Sequence, residues 1–272
     1  MKVLAAALGI SQSRVYYILR CEVKTMNNKE MINRKEIADK IREITRQFPY
    51  YGYRKVYAIL KYKEGISAHR NKVYRIMKEE KLLLPAARCN KKFFKGVPFA
   101  LNVEAKSSNR LWGIDMTYIW CGRDAWCYFH GVIDHHDKAM LGYHFSRSCR
   151  AIGGVMALSE AAAKRPVENL ELRSDNGCHY GAKIFRDEIK RLGINHTRTM
   201  VNTPKGNAVI ERFFKSLKQE CVWQHGFASY EEAKDVIDKY VKYYNEERPH
   251  QALGYAAPET FYEQEGYVEK LA

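Results

Sequence analysis
The 272-residue chain carries 46 Lys and Arg against 31 Asp and Glu, for a net charge of +15, and is 46% hydrophobic. The length bounds it to one large domain or two modest ones with a real core. No run reaches the roughly 18 apolar residues of a membrane span, and the basic excess favours nucleic acid over a membrane as partner. The charge is unevenly placed. Residues 1–107 hold 24 basic and 9 acidic residues, whereas residues 108–272 hold 22 of each. A basic, DNA-gripping region is therefore expected ahead of a neutral one. The seven cysteines are odd in number, irregularly spaced and free of Cys-x-x-Cys. They suggest reduced thiols in a cytoplasmic protein, with neither a disulfide framework nor a zinc ribbon. His130, His135 and His136 read as turn and surface residues.

Residues 1–29 read as a short helical segment, with a turn at Gly9-Ile10-Ser11 and a helix over Gln12–Arg20. Its apolar start is too short for a signal peptide and lacks a small-residue cleavage site. Residues 30–84 predict three helices. Asn33 and Glu36 form a capping box, and Ile37, Ile41, Ile44 and Phe48 share one face before Pro49 stops the helix. A second helix spans Gly52–Tyr62 and buries Val56, Ile59 and Leu60. After a turn at Gly65-Ile66-Ser67, a third spans His69–Glu80 and buries Val73, Ile76 and Met77. Arg70, Asn71, Lys72, Arg75 and Lys78 occupy its other faces. Helix, tight turn and basic helix is the layout of a helix-turn-helix DNA reader. A plain three-helix bundle with solvated basic faces is the competing reading. Residues 85–107, with Arg88, Lys91, Lys92, Lys95 and Lys106, read as a basic linker along the DNA backbone.

From residue 108 the pattern turns to strands. Leu111–Trp120, Trp126–Ile133 and Ala139–Phe145 are strand candidates, the last two joined by a turn at Asp134–Lys138. An Ala-rich helix over Ala151–Lys164 follows, then a strand Asn169–Arg173, a helix Tyr180–Leu192 and a strand Ile194–Thr199. The loop Asn202–Gly206 leads into a helix from Asn207, and Ser229 with Glu232 caps a further helix. Three antiparallel strands followed by alternating helix and strand give an α/β fold of the ribonuclease-H-like order. The expected core is a five-stranded mixed sheet with flanking helices over residues 108–265.

Three carboxylates stand out. Asp115 lies inside an apolar strand, where a charge is costly without a cation or hydrogen-bond donors. Asp175 follows the fourth strand in Ser-Asp-Asn-Gly, which is also ordinary turn chemistry. Glu211 shares a polar helix face with Lys215 and Lys218, over a stripe of Val209, Ile210, Phe213, Phe214 and Leu217. Taken singly, each fits a structural role. Together they offer hard oxygen ligands from two strand ends and a covering helix, as two magnesium ions about 4 Å apart require for phosphoryl transfer.

With these motifs the chain resembles the DDE transposases and retroviral-type integrases. Trp112-Gly113-Ile114-Asp115-Met116-Thr117, Ser174-Asp175-Asn176-Gly177 and Asn207-Ala208-Val209-Ile210-Glu211-Arg212 look like the three motifs of that superfamily. The 35 residues between Asp175 and Glu211 match its spacing. Tyr244-Asn245-Glu246-Glu247-Arg248-Pro249-His250-Gln251, followed by Leu253-Gly254-Tyr255 and Pro258, resembles the end of bacterial insertion-sequence transposases. The likeness is to the downstream-frame product of the IS-three family, and it extends to the helix-turn-helix region between Tyr51 and Leu83. It implies metal-dependent cleavage at the ends of a mobile element and joining of the freed 3′ hydroxyl to another DNA strand. Asp115, Asp175 and Glu211 would hold two Mg2+ ions, for which Mn2+ substitutes. The implied partners are the terminal inverted repeats, target DNA, further copies of the chain on DNA, and an upstream-frame protein supplied by frameshifting. Lys215 and Lys218, with Arg70, Asn71, Lys72 and Arg75, would contact DNA. The long zipper segment of that family and the zinc module of retroviral integrases are not seen, and Asn202–Gly206 is shorter than in many relatives. A transposase-derived regulator without catalysis, and a ribonuclease-H-type nuclease, remain as alternatives.

Overall fold
The computed structural model describes residues 34–85, 105–198 and 207–271, with side chains described to residue 265. The helical segment expected before residue 30, Asn33 of the first capping box, most of the basic linker and the loop Asn202–Gly206 lie outside the described residues. The chain divides into two compact units, residues 1–88 and 89–272.

In the first unit, α1 covers residues 34–47. Ile37, Ile41 and Ile44 are buried, as the helical spacing requires. Beyond Pro49 the chain turns, and Tyr51 is buried against Phe48 with ring centroids 4.8 Å apart. α2, Tyr53–Ala58, follows and widens into a π-helical turn over Ile59–Lys63. The expected single helix therefore changes hydrogen-bond register at its C-terminal end. Gly65, at φ +65°, supplies the left-handed turn before α3, Arg70–Glu79. The His69 ring caps α3 by accepting the Asn71 N–H. Val73, Ile76 and Met77 are buried. Arg42 of α1 donates two hydrogen bonds, of 2.7 and 2.6 Å, to Glu80 just past α3. That pair closes the three-helix unit.

In the second unit a five-stranded sheet runs in the order β3-β2-β1-β4-β5. β1 is Leu111–Trp120, β2 Trp126–Asp134, β3 Met140–Ser146, β4 Glu171–Ser174 and β5 Asn195–Arg198. β1, β2 and β3 pair antiparallel, and β4 and β5 join parallel to β1. The crossover to β4 uses α4, Ala151–Lys164. α4 lies so close to β3 that a Cβ on Gly142 would strike the Ala157 carbonyl oxygen. The helix expected over Tyr180–Leu192 is instead two helices, α5 (Cys178–Gly181) and α6 (Lys183–Leu192), separated by an extended Ala182 at ψ 146°. α7, Ala208–Glu220, and α8, Tyr230–Glu246, cover the opposite face, and α9 runs from Pro258 to Leu271. Ser229 caps α8 by accepting the Glu232 N–H. The Glu232 carboxylate returns to the Ala228 N–H at 2.8 Å, one residue earlier than a strict capping box.

Two apolar layers enclose the sheet. Trp112, Ile114, Val132 and Leu141 meet Ala157, Leu158, Ala161, Phe185 and Ile189 on one face. Ile119, Phe129 and Phe145 meet Phe213, Phe214, Leu217, Ile237 and Tyr240 on the other. His130 and His135 are buried rather than at the surface, His130 because β2 is an interior strand covered on both faces and His135, one residue past β2, because it packs beside Gly113 and Asn207. Burial lowers both imidazoles to about 4. Asp134, also buried, orders the following turn by accepting the Asn109 and His136 N–H groups and the Trp112 indole N–H.

Candidate active site
Asp115 lies in the middle of β1, whose pairing with β4 stops at Gly113. From Ile114 onward no strand among the described residues pairs with that side of β1. Asp175 follows directly on Ser174, the last residue of β4. Because β1 and β4 are parallel neighbours, both acids emerge in the same direction from adjacent strands. Asp115 accepts the Met116 N–H at 2.7 Å, and Asp175 accepts the Gly177 N–H at 2.8 Å in the turn that starts α5. Burial pushes the Asp115 carboxyl up to about 7. The Met116 N–H opposes that rise, while the Asp175 and Glu211 charges add to it. The three acids found by sequence pattern therefore share one electrostatic field.

Glu211 is exposed in the first turn of α7. Its position depends on how α7 is held. Ile210, Phe213, Phe214 and Leu217 bury the helix's inner face. At the N-terminus, buried Asn207 donates its amide N–H to the Ile114 carbonyl at 3.0 Å. One strand residue before Asp115 is thus tied to the start of the helix that carries Glu211. Gly113 leaves room for the tie. A Cβ there would stand 2.5 Å from Asn207 Oδ1 and 2.7 Å from His135 Nε2. Both neighbours are buried, so Gly113→Ala should cost about 1–3 kcal/mol through overpacking. A melting temperature equal to the parent's would show that the cap can step aside.

The far end of α7 is held by Arg248. Its guanidinium donates two bonds of 2.7 Å to Glu220 and one of 3.2 Å to Ser216. The rest of that tail motif serves the same end. Tyr244 packs edge-on against Phe213 at 4.7 Å, His250 packs on Tyr244, and Asn245 bonds both backbone groups of Met140 on β3. The sequence marks this tail as a motif but gives no sign that it grips the Glu211 helix.

Among the described residues, no three His, Cys, Asp or Glu side chains stand together at metal-ligand spacing. What fits a divalent cation is the donor chemistry. All three are hard carboxylates, and the Asp175 and Glu211 charges add to the burial that pushes the Asp115 carboxyl up to about 7. Of the residues expected to touch DNA, Arg70, Asn71 and Arg75 are exposed on α3 and Lys72 is half-buried. Lys215 is exposed on α7. Lys218 is half-buried, its ammonium 4.9 Å from the centre of the Tyr118 ring. Sequence reasoning passed over Tyr118, Trp120 and Trp126. Large aromatics alternating outward on β1 were the available signal.

Comparison with known proteins agrees with this architecture. Two integrase core domain families match, over residues 105–204 and 192–258, and an HTH-like domain matches residues 32–93. The chain thus carries an integrase core with an HTH-like domain ahead of it. Within that class it is a relative of insertion-element transposases. It is 26% identical to the Escherichia coli transposase InsD for insertion element IS2A/D/F/H/I/K, over 97% of this chain and 91% of that protein. It is equally identical to InsD for IS2-9 from Escherichia coli strain K12, over 97% of this chain and 89% of that protein. Among solved structures, a chain of the simian T-cell lymphotropic virus intasome in complex with PP2A regulatory subunit B56 gamma superposes with a TM-score of 0.53. That match has 13% identity and covers 81% of this chain and 73% of the other. No helix among the described residues is long and apolar enough to cross a membrane.

Proposed function
We propose that this insertion-element transposase cuts and joins DNA strands with Asp115, Asp175 and Glu211 as its catalytic acids. The observation that supports the reading is the parallel pairing of β1 with β4, which carries Asp115 and Asp175 on neighbouring strands, with Glu211 on the helix tied to Ile114. Asp115, Asp175 and Glu211 would hold Mg2+, as two ions replaceable by Mn2+, which would activate the attacking oxygen and stabilise the leaving one. The chain itself supplies position. β1 and β4 carry two of the acids on neighbouring strands, and the Asn207–Ile114 bond ties the start of the helix that bears the third to β1. Lys215 and Lys218 face DNA beside these acids. A water or a 3′ hydroxyl attacks phosphorus, and the leaving 3′ oxygen departs with the bonding electron pair. No protein nucleophile is needed.

The partners are the element's terminal repeats and target DNA, with further copies of the chain assembled on them and an upstream-frame protein completing the active form. The test is oligonucleotide strand transfer with Mg2+. Asp175→Asn and Glu211→Gln should each lower joining by at least about a hundredfold while DNA binding and melting stay near the parent's. Joining retained by either variant removes that residue from the catalytic set.

The HTH-like unit, residues 30–84, supplies sequence recognition through α3. Arg70, Asn71 and Arg75 are placed to read base edges, and Lys72 to touch phosphate. Replacing Arg70, Asn71 and Arg75 singly by Ala should cost about 1–3 kcal/mol of preference for the terminal repeat. Binding to unrelated duplex should change far less. Normal footprints of all three on the repeat would show that another surface reads it.

A further inference from the structure
Tyr118, Trp120 and Trp126 form an exposed aromatic patch on the β1–β2 hairpin, past Asp115 along β1. Their exposures are 56%, 52% and 49%, high for side chains of this size within a sheet. Tyr118 and Trp120 are two residues apart on β1 and point to the same face. Trp126 is the β2 partner directly opposite Trp120. The rings pack edge-to-face, Tyr118 on Trp126 at 5.1 Å and Trp120 on Trp126 at 5.2 Å. They are thus a preassembled platform. β4 stops pairing at Gly113, so no strand among the described residues pairs with that edge of this stretch of β1.

The platform has a cation on it. Lys218 extends from α7 to place its ammonium 4.9 Å from the Tyr118 ring centre. Lys215 and Arg212 are exposed on the same helix. Two routes lead here from the acids. Tyr118 is three strand residues past Asp115, about 10 Å along β1 and on the opposite face by alternation, and the Lys218 contact links its ring to α7. Lys218 is seven helical residues past Glu211, again about 10 Å. Nearby acidic residues, Asp124 at the hairpin tip and Glu231 in the first turn of α8, are already paired with Arg147 and Arg123.

We propose that Tyr118, Trp120 and Trp126, with Lys218, bind unpaired DNA bases next to the reacting phosphodiester. The inference rests on the strand-transfer reading above and adds a binding site to it. Stacked rings offer π-faces to bases of any sequence, and adjacent lysines accompany the phosphates, which is how single-strand surfaces work. Bases within a duplex are already stacked and present no free face. The platform therefore selects an end whose last pairs have opened, and holds the strand that is not being joined or the one about to be.

The full-length wild-type chain is irradiated in EDTA with oligonucleotide duplexes carrying 5-iodouracil, either in a three-nucleotide unpaired end or within the paired segment. Covalent adducts are mapped by mass spectrometry. Adducts on Tyr118, Trp120 or Trp126 are expected from the unpaired position and not from the paired one. Trp120→Ala/Trp126→Ala should lose them and bind unpaired ends about tenfold more weakly per ring removed, with duplex binding unchanged. Adducts confined to residues 1–107, from a preparation that joins ends with Mg2+, would overturn the platform and leave the enzymatic reading intact. Adducts on the platform without any joining would support the site and count against strand transfer. Loss of an oligomer in the double variant, with no platform adducts in the wild type, would make the patch a contact between copies and overturn the proposal.

Discussion

Asp115→Asn should raise the melting temperature of the core at pH 8 by at least about 5 °C while abolishing strand transfer. The native carboxyl holds its proton to about 7, against an ordinary value of 3.8. A raised carboxylate pKa means the native state binds more protons than the unfolded chain between those values. Stability from this group therefore falls as pH rises from about 4 to about 7, then stays at its reduced level. Three pH units correspond to about 4 kcal/mol, of which part will be relieved by local relaxation. The amide removes the charge and keeps the geometry. Its oxygen can still accept the Met116 N–H, and it carries no charge into the field of Asp175 and Glu211. Each kcal/mol moves the melting point of a core this size by roughly 2–4 °C. The gain should shrink at pH 5, where the parent carboxyl is already mostly protonated. Mg2+ should stabilise the parent and leave the variant almost unmoved. A variant no more stable than the parent at pH 8 would mean that Asp115 is solvated, and the shared field would lose its support.

The strands and the acids were legible in the chain because their signals are local. β1 and α4 begin and end where the apolar patterns do. Asp115 was conspicuous as a charge within an apolar run, and Asp175 and Glu211 by motif and spacing. What brings them together was less visible. β4 pairs with β1 through only three residues, too few to leave a pairing pattern. Its place follows from a parallel crossover through α4, which places the strand beside β1 when the handedness is right-handed. The Asn207–Ile114 bond spans 93 residues and involves a backbone acceptor, which no side-chain pattern encodes. The histidines misled for a related reason. Polar residues near a turn read as exposed, but whether β2 is covered on both faces is decided by α4 and α7, elements far along the chain. The break at Ala182 has a similar origin. Periodicity continues across it, and only the φ/ψ of one residue interrupts the helix.

Arg248→Met should destabilise the core by about 3–5 kcal/mol, the usual cost of removing one partner from a buried ion pair. Arg248 and Glu220 are 7% and 8% exposed, and the pair is joined by two hydrogen bonds of 2.7 Å. Without the guanidinium, the buried Glu220 charge loses two hydrogen bonds and the opposite charge that offset it, while the Tyr240 hydroxyl still donates to it at 3.2 Å. Ser216 and His250 lose a partner at the same step. The loss falls on α7, so the effect should spread beyond stability. Glu211 lies nine residues upstream on that helix, held at the other end by Asn207. With the distal anchor gone, joining should fall more than DNA binding does, measured below the lowered melting point. Replacing both residues separates the two effects. Arg248→Met/Glu220→Leu removes the orphaned charge and should recover most of the lost stability, because apolar side chains of similar volume replace buried ion pairs at little cost. Joining should then return with stability if the clamp acts by stiffening α7. A single variant that melts within 1 °C of the parent would show that Glu220 finds water or a proton instead, and the tail would be a passive cover over the catalytic helix.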